Sequence, residues 1–159
     1  HRADDMLTAI RIAKEFGLKY NILHATGAEQ IADLLALTGT IPVVGPSMGP
    51  SSKPETQGTS FATCARLHEA GMEVAITTDH DVTPLWLLPM FTAMCVREGL
   101  SEEAALRAIT INAARALGVD DRIGSIQPGK DADIVVYDGH PFHYMTKPMA
   151  VFINGKQAE

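Results

Sequence analysis

Apolar positions along the chain recur in two alternating rhythms. Met6, Ala9, Ile10 and Ala13 fall at three- and four-residue steps, as do Ile31, Leu34 and Leu35 and, less cleanly, Phe61, Ala65 and Leu67 with His68 beside it. That spacing marks one buried face of a helix. Short, mostly apolar runs follow, at residues 18–23, 41–44 and 73–77. Gly17, Gly39 and Gly71 stand at the junctions, where a helix end favours glycine because the left-handed backbone costs it little. Thr26 and Glu29 have the Thr-x-x-Glu spacing of a capping box at the start of the second helix. Helices alternating with strands buried on both faces predict βα units and a parallel sheet.

The segment 46–58 breaks this rhythm with a long Pro-, Ser- and Gly-rich stretch, a lid or a plain surface loop. Met48 and Ser51 are its candidate substrate contacts. Two further helices are expected. One covers 84 or 85 to 98 and closes at Gly99. The other covers 102–117, capped by Ser101, with Glu102 and Glu103 in its first turn and Gly118 at its end. From Val119 the character changes. Gly124, Pro128-Gly129 and Asp138-Gly139 punctuate β runs at 132–137 and 149–153, and Asn154-Gly155 is a hairpin-turn signal. Residues 1–118 therefore read as an α/β unit and 119–159 as an appended β unit.

Composition narrows the functional classes. The chain has 159 residues, with 13 Lys plus Arg against 19 Asp plus Glu and a net charge of −6, which argues against a nucleic-acid backbone binder. At 46% hydrophobic and 20% charged residues the values are those of a folded globular protein. No apolar run approaches the ~20 residues of a membrane span, and the longest candidate, 85–96, is interrupted by Pro89. Cys64 and Cys95 lie far apart without a CxxC pair, which argues against a disulfide framework or a thiolate zinc site and points to a reducing cytoplasm. The chain as read starts at His1, so it is expected to have lost a leader or tag or to be a piece of something longer. A doubly wound nucleotide-binding unit fits the βα alternation, but no glycine-rich phosphate loop joins a strand to a helix.

His24 ends one apolar run and Asp79 ends another. In parallel α/β folds the carboxyl ends of strands line the ligand crevice. An imidazole and a carboxylate converging there can hold a divalent metal, and the carboxylate can take a proton from water. Each has an alternative: His24 as a hydrogen-bonded core or rim residue, Asp79 as the N-cap of the next helix. His80 follows Asp79 directly and is expected on the opposite face, as a supporting or loop group. His68 is expected to be structural, and His140 and His143 to face solvent.

The residues His1-Arg2-Ala3-Asp4-Asp5-Met6, Ile22-Leu23-His24-Ala25-Thr26-Gly27 and Ile76-Thr77-Thr78-Asp79-His80 resemble the second half of an amidohydrolase-superfamily enzyme. The imidazolonepropionase-related and prolidase-like members are the nearest in kind. Residues 108–118 resemble a helix end of that family. Residues 122–136, with the pattern Gly-Ser-x-x-Pro-Gly-Lys-x-Ala-Asp, resemble its return to a β-sandwich. The resemblance covers nearly the whole chain.

It implies the carboxyl-terminal part of a (β/α)8 metallo-hydrolase barrel, about strands five or six to eight, with appended β-sandwich strands. It implies a divalent metal, zinc above all, as one or two ions, and hydrolysis of a C–N bond in a cyclic amide or dipeptide-like small molecule. It makes His24 the sixth-strand metal-ligating or substrate-contacting histidine, and Asp79 the eighth-strand metal ligand and proton shuttle, both catalytic groups. His1 is the fifth-strand ligand or, where the family has His-x-His, the second of that pair. The first-strand His-x-His and the fourth-strand Lys or Glu have no counterpart here, and Ala113 stands where relatives usually have Pro.

Half a barrel leaves strand edges unpaired, and exposing 1,000 Å² of apolar surface forfeits on the order of 25 kcal/mol against a usual stability of ~5–15 kcal/mol. The expectation is a missing amino-terminal half or a homo-oligomer, and no activity from these residues alone. The competing class is a non-catalytic relative of the barrel hydrolases kept for assembly.

Overall fold

The computed structural model describes residues 1–49 and 53–158. It opens with helix α1 (Ala3–Glu15), which buries Met6, Ile10 and Ala13 on one stripe and carries Asp4 and Asp5 in its first turn and Lys14 in its last. Those charges complement the helix dipole. Three strands follow with helices between them: β1 (Leu23–His24), β2 (Val43–Val44) and β3 (Ala75–Ile76). They form one sheet in the order β1-β2-β3, all parallel, with Leu23, Val43 and Ala75 in one row and His24, Val44 and Ile76 in the next. The paired strands are shorter than the apolar runs at 18–23, 41–44 and 73–77. Ladder bonds extend one residue further at most, as in Val43 N–H to the Ile22 carbonyl (2.8 Å) and Thr77 N–H to the Val44 carbonyl (2.9 Å). Leu18 and Tyr20 are apolar, but no described strand pairs with residues 18–21.

The connecting helices are α2 (Ala32–Ala36), α3 (Ala62–Glu69), α4 (Leu88–Arg97), α5 (Glu102–Ala108) and α6 (Ile111–Leu117). Phe91, Leu35, Leu67, Leu100 and Val74 are the large side chains fully enclosed between helices and sheet. Three expectations need correction. The Thr26/Glu29 capping box does not form: a 3₁₀ turn at Ala28–Ile31 starts from Gly27 without a side-chain cap, because the Thr26 hydroxyl is taken by His1 and Glu29 pairs with Arg66 at 2.5 Å. The helix at 85–98 is α-helical only from Leu88, with Pro89 in its first turn and a 3₁₀ turn at Leu85–Leu87 before it. The single helix at 102–117 is two. Ser101 caps α5 through the Ala104 N–H (3.2 Å) as expected, but the chain breaks at Thr110 (φ −130, ψ −100). Its hydroxyl there reaches back to the Leu106 carbonyl. The β-branched run Ile109-Thr110-Ile111 disfavours an unbroken helix.

Beyond α6 lies an antiparallel sheet of β4 (Ile134–Tyr137), β5 (Pro148–Ile153) and β6 (Lys156–Gln157), with Asn154 and Gly155 both at positive φ in the β5–β6 turn. The Gly-Ser-x-x-Pro-Gly-Lys pattern folds against α6 and closes on itself. A Cβ on Gly124 would sit 2.7 Å from the Ala114 Cβ, so only glycine lets this loop lie against α6. The Lys130 ammonium binds the Ser125 hydroxyl (2.7 Å) and the Asp120 carbonyl, and Arg122 pairs with Asp131 at 2.7 Å.

The chain exposes 9762 Å². A compact monomer of its 17.1 kDa exposes about 7,800 Å². Phe16, Leu18, Leu23, Leu37 and Trp86 are among the large apolar side chains left more than half exposed. No described helix is long and apolar enough to cross a membrane.

Candidate metal centre

The parallel sheet delivers its polar side chains at one edge, the carboxyl ends of β1 and β3. His24 is the last residue of β1. The chain turns there through two left-handed residues, His24 at φ 71 and Ala25 at φ 50. Such a backbone is uncommon for residues with a Cβ and costs about 1–3 kcal/mol where it persists. The His24 ring is half-buried, and its Nδ1 lies 2.9 Å from the Gly45 carbonyl oxygen at the end of β2. A carbonyl only accepts, so Nδ1 carries the proton and Nε2 keeps its lone pair for a ligand.

His1 is brought to the same place by the backbone. Gly27 donates its N–H to the His1 carbonyl (2.8 Å), and His1 Nδ1 lies 2.8 Å from the buried Thr26 hydroxyl. The two imidazoles stack with centroids 4.8 Å apart and an interplanar angle of 18°. His1 lies outside any described strand, one residue before the N-cap Arg2 of α1.

Asp79 lies three residues past β3, also left-handed at φ 50. Its N–H donates to the Thr77 hydroxyl (3.0 Å) and its carbonyl accepts from Val82 (2.7 Å). This turn, and not a helix cap, occupies its polar backbone: the 3₁₀ turn that leads into α4 starts from Pro84. Asp79 and His24 thus share one edge of the sheet with β2 between them, a lateral offset of about 10 Å at two strand spacings. Among the described residues no three His, Cys, Asp or Glu side chains converge closely enough to enclose a metal ion. The donor set that is present, two adjacent imidazoles and a carboxylate on the same rim, fits part of a divalent-metal coordination sphere and not a closed one.

The other expected residues are placed as follows. His80 is exposed. Met48 is 41% exposed on the loop after β2, and Ser51 lies outside the described residues. His68 bonds the Met72 carbonyl at 3.4 Å. His143 is exposed, whereas His140 is half-buried against Phe142 and faces Glu102 at 3.8 Å. Sequence reasoning missed Thr26 and Gly45, which orient the two imidazoles. The signal for Gly45 was its place directly after an apolar run. The described cavity of about 270 Å³, lined by Lys19, Asn21, Thr38, Thr40 and Arg115 among others, opens at the amino ends of the strands, away from this rim.

These features sit in a chain with clear relatives. The model of the "Amidohydrolase family" matches residues 3–158. An imidazolonepropionase of Maricaulis maris is 32% identical over 136 residues, covering 80% of this chain and 32% of that protein. The crystal structure of an amidohydrolase from Thermotoga maritima superposes with a TM-score of 0.95 at 44% identity, over 100% of this chain and 42% of that one. An adenosine deaminase from Xanthomonas campestris with bound zinc superposes at 0.67 with 28% identity, over 86% of this chain and 36% of that one. The chain thus spans about a third to two fifths of the length of these relatives, and its mixed α/β architecture is of their barrel type. By the extent of the family match and the near-complete superposition, this chain belongs to the amidohydrolase family.

Proposed function

We propose that this chain supplies the carboxyl-terminal part of the active-site rim of a metal-dependent hydrolase acting on a C–N bond, in a cyclic amide or a dipeptide-like small molecule. The observation that carries this reading is the His1–His24 pair, tied by Thr26 and Gly45, on the same sheet edge as Asp79. In this reading residues 1–118 correspond to about strands five or six to eight of a (β/α)8 barrel, and residues 119–159 to strands of an appended sandwich. The imidazolonepropionase relative suggests a ring amide, and the zinc-bound neighbour suggests zinc.

His24 offers Nε2, and His1 its neighbouring ring, as ligands for the divalent ion. The ion, when bound, supplies Lewis acidity toward water and the scissile carbonyl. Asp79 accepts the water proton on its carboxylate and returns it to the leaving nitrogen, so that no amide anion has to depart. Met48, on the loop after β2, is the described residue that contacts the substrate in this reading. The remaining donors come from outside these residues. The excess exposed surface, about 2,000 Å² over a compact monomer, and the bare Leu23 on β1, 53% exposed, support a covering amino-terminal half or a second copy. The two free cysteines support a reducing compartment. A non-catalytic assembly relative is favoured by one observation, the lack of a three-donor cluster among the described residues.

The test is metal analysis and turnover of a lactam, hydantoin and acyl-dipeptide panel by the intact protein that contains this chain. Asp79→Asn is expected to lower kcat by about 10²–10⁴, and His24→Ala to lower metal stoichiometry. The 159-residue chain is expected to show no turnover with added zinc. Full activity of Asp79→Asn sinks the reading and leaves the assembly role standing.

A further inference from the structure

The two cysteines, separated by 31 positions in sequence, meet in the core. Cys64 lies on α3 and Cys95 on α4, each 1% exposed. Their Sγ atoms are 3.5 Å apart, and both are free thiols. The helices approach closely because the groups between them are small: a Cβ on Gly99, just past α4, would lie 3.7 Å from the Ala65 Cβ. A disulfide needs its sulfurs at about 2.05 Å. Closing the gap takes about 1.5 Å, a movement that rotation about the two Cα–Cβ bonds can share.

We propose that Cys64 and Cys95 form a reversible intramolecular disulfide under peroxide stress, a redox brace that locks α3 to α4 around β3. The oxidant is a small neutral peroxide, the class able to reach a buried thiol through transient local opening. One sulfur attacks a peroxide oxygen, the O–O bond breaks, and a sulfenic acid and water result. The second sulfur attacks the sulfenic sulfur, the S–O bond breaks, and hydroxide leaves with the remaining thiol proton as water. The two thiols lose two electrons and the peroxide gains two. The Cys95 contact, and then burial, push the Cys64 thiol well up from its ordinary value, which keeps its thiolate scarce and makes the first oxidation slow, so the bridge needs excess peroxide. The bridge encloses β3 and Asp79, and so stiffens the strand that ends at the candidate rim.

The experiment treats the intact native protein with excess hydrogen peroxide, blocks free thiols and digests with trypsin without reduction. Cleavage after Lys19, Arg66 and Arg97 places Cys64 in peptide 20–66 and Cys95 in peptide 67–97. The expected product is these two peptides joined, lighter by two hydrogens than their sum and separated by a phosphine reductant. The oxidised protein is expected to melt roughly 5 °C higher, a shift reversed on reduction and absent from Cys95→Ala. Three results overturn the proposal. One is sulfinic acid on a single cysteine without the link. Another is a link between two copies. The third is two intact thiols in protein whose exposed Met48 has become the sulfoxide.

Discussion

Replacing Gly45 with alanine tests whether the rim geometry rests on one backbone crossing. Gly45 follows β2, at φ 121, and its carbonyl holds the His24 ring at 2.9 Å. A Cβ built there would stand 2.2 Å from the Thr77 carbonyl oxygen, on the strand that leads to Asp79. Real Cβ contacts stay beyond 3.0 Å, so β2 and the end of β3 must part by about 1 Å, which costs about 1–3 kcal/mol as overpacking. Forcing a side chain onto this backbone adds about 1–3 kcal/mol. The expected loss is therefore about 2–6 kcal/mol, together with weaker metal binding, because the carbonyl that sets the His24 tautomer moves. Gly39→Ala is the control: it also has positive φ (69), but nothing lies within 4 Å of its Cβ, so only about 1–2 kcal/mol is at stake. Urea unfolding of both variants in the intact protein, compared at unchanged m-value, measures the difference. If Gly45→Ala costs no more than Gly39→Ala, the close approach of β2 to Thr77 is not what shapes the rim.

Three more expectations follow from single contacts. Thr26→Val removes the hydroxyl 2.8 Å from His1 Nδ1 and should cost about 1 kcal/mol and weaken zinc affinity, with Thr26→Ser restoring both; equal zinc titrations for Val and Ser variants would argue that Thr26 does not orient His1. Asn112→Ala deletes the buried amide that donates to the Val74 carbonyl at 3.0 Å and should lower unfolding free energy by about 1–3 kcal/mol, read from the urea midpoint; a shift below about 0.5 kcal/mol contradicts an anchoring role between α6 and β3. Burial alone would raise the Glu73 carboxyl, but Arg107 at 2.6 Å and Arg115 at 2.7 Å outweigh it and hold it below its ordinary 4.5. The stability this gives is present above pH 4.5 and lost as pH falls through the folded value. With Glu73 40% exposed it amounts to under about 1 kcal/mol, so the gap between wild type and Glu73→Gln should narrow from pH 7 to pH 3, and a pH-independent gap refutes the assignment.

The division between what the chain's pattern revealed and what it hid is physical. The end of β1 was legible because a polar residue closing an apolar run, His24, stands out in a parallel sheet, whereas β3 stops at Ile76, three residues short of Asp79. Helix α1 was legible because Met6, Ile10 and Ala13 do bury one stripe. The capping box failed for a reason no local rule contains: Thr26 had a partner, His1, 25 positions away. The split of α5 from α6 has a local cause in the β-branched run at 109–111, but the inward bond of Asn112 to Val74, 38 positions away, has no local signal. The cysteine pair was hidden in the same manner, since a separation of 31 positions says nothing about two helices crossing at small residues.

The left-handed turns at His24, Ala25 and Asp79 were the least legible, because no glycine marks them. Their placement is itself an argument. Each costs backbone energy, and all three stand at or just past the carboxyl ends of β1 and β3, while among the described residues the other left-handed positions are glycine, Asn154 alone excepted. A fold under selection for stability alone would put glycine or asparagine at those turns as well. Keeping imidazole and carboxylate there, at that cost, supports the role proposed for this rim.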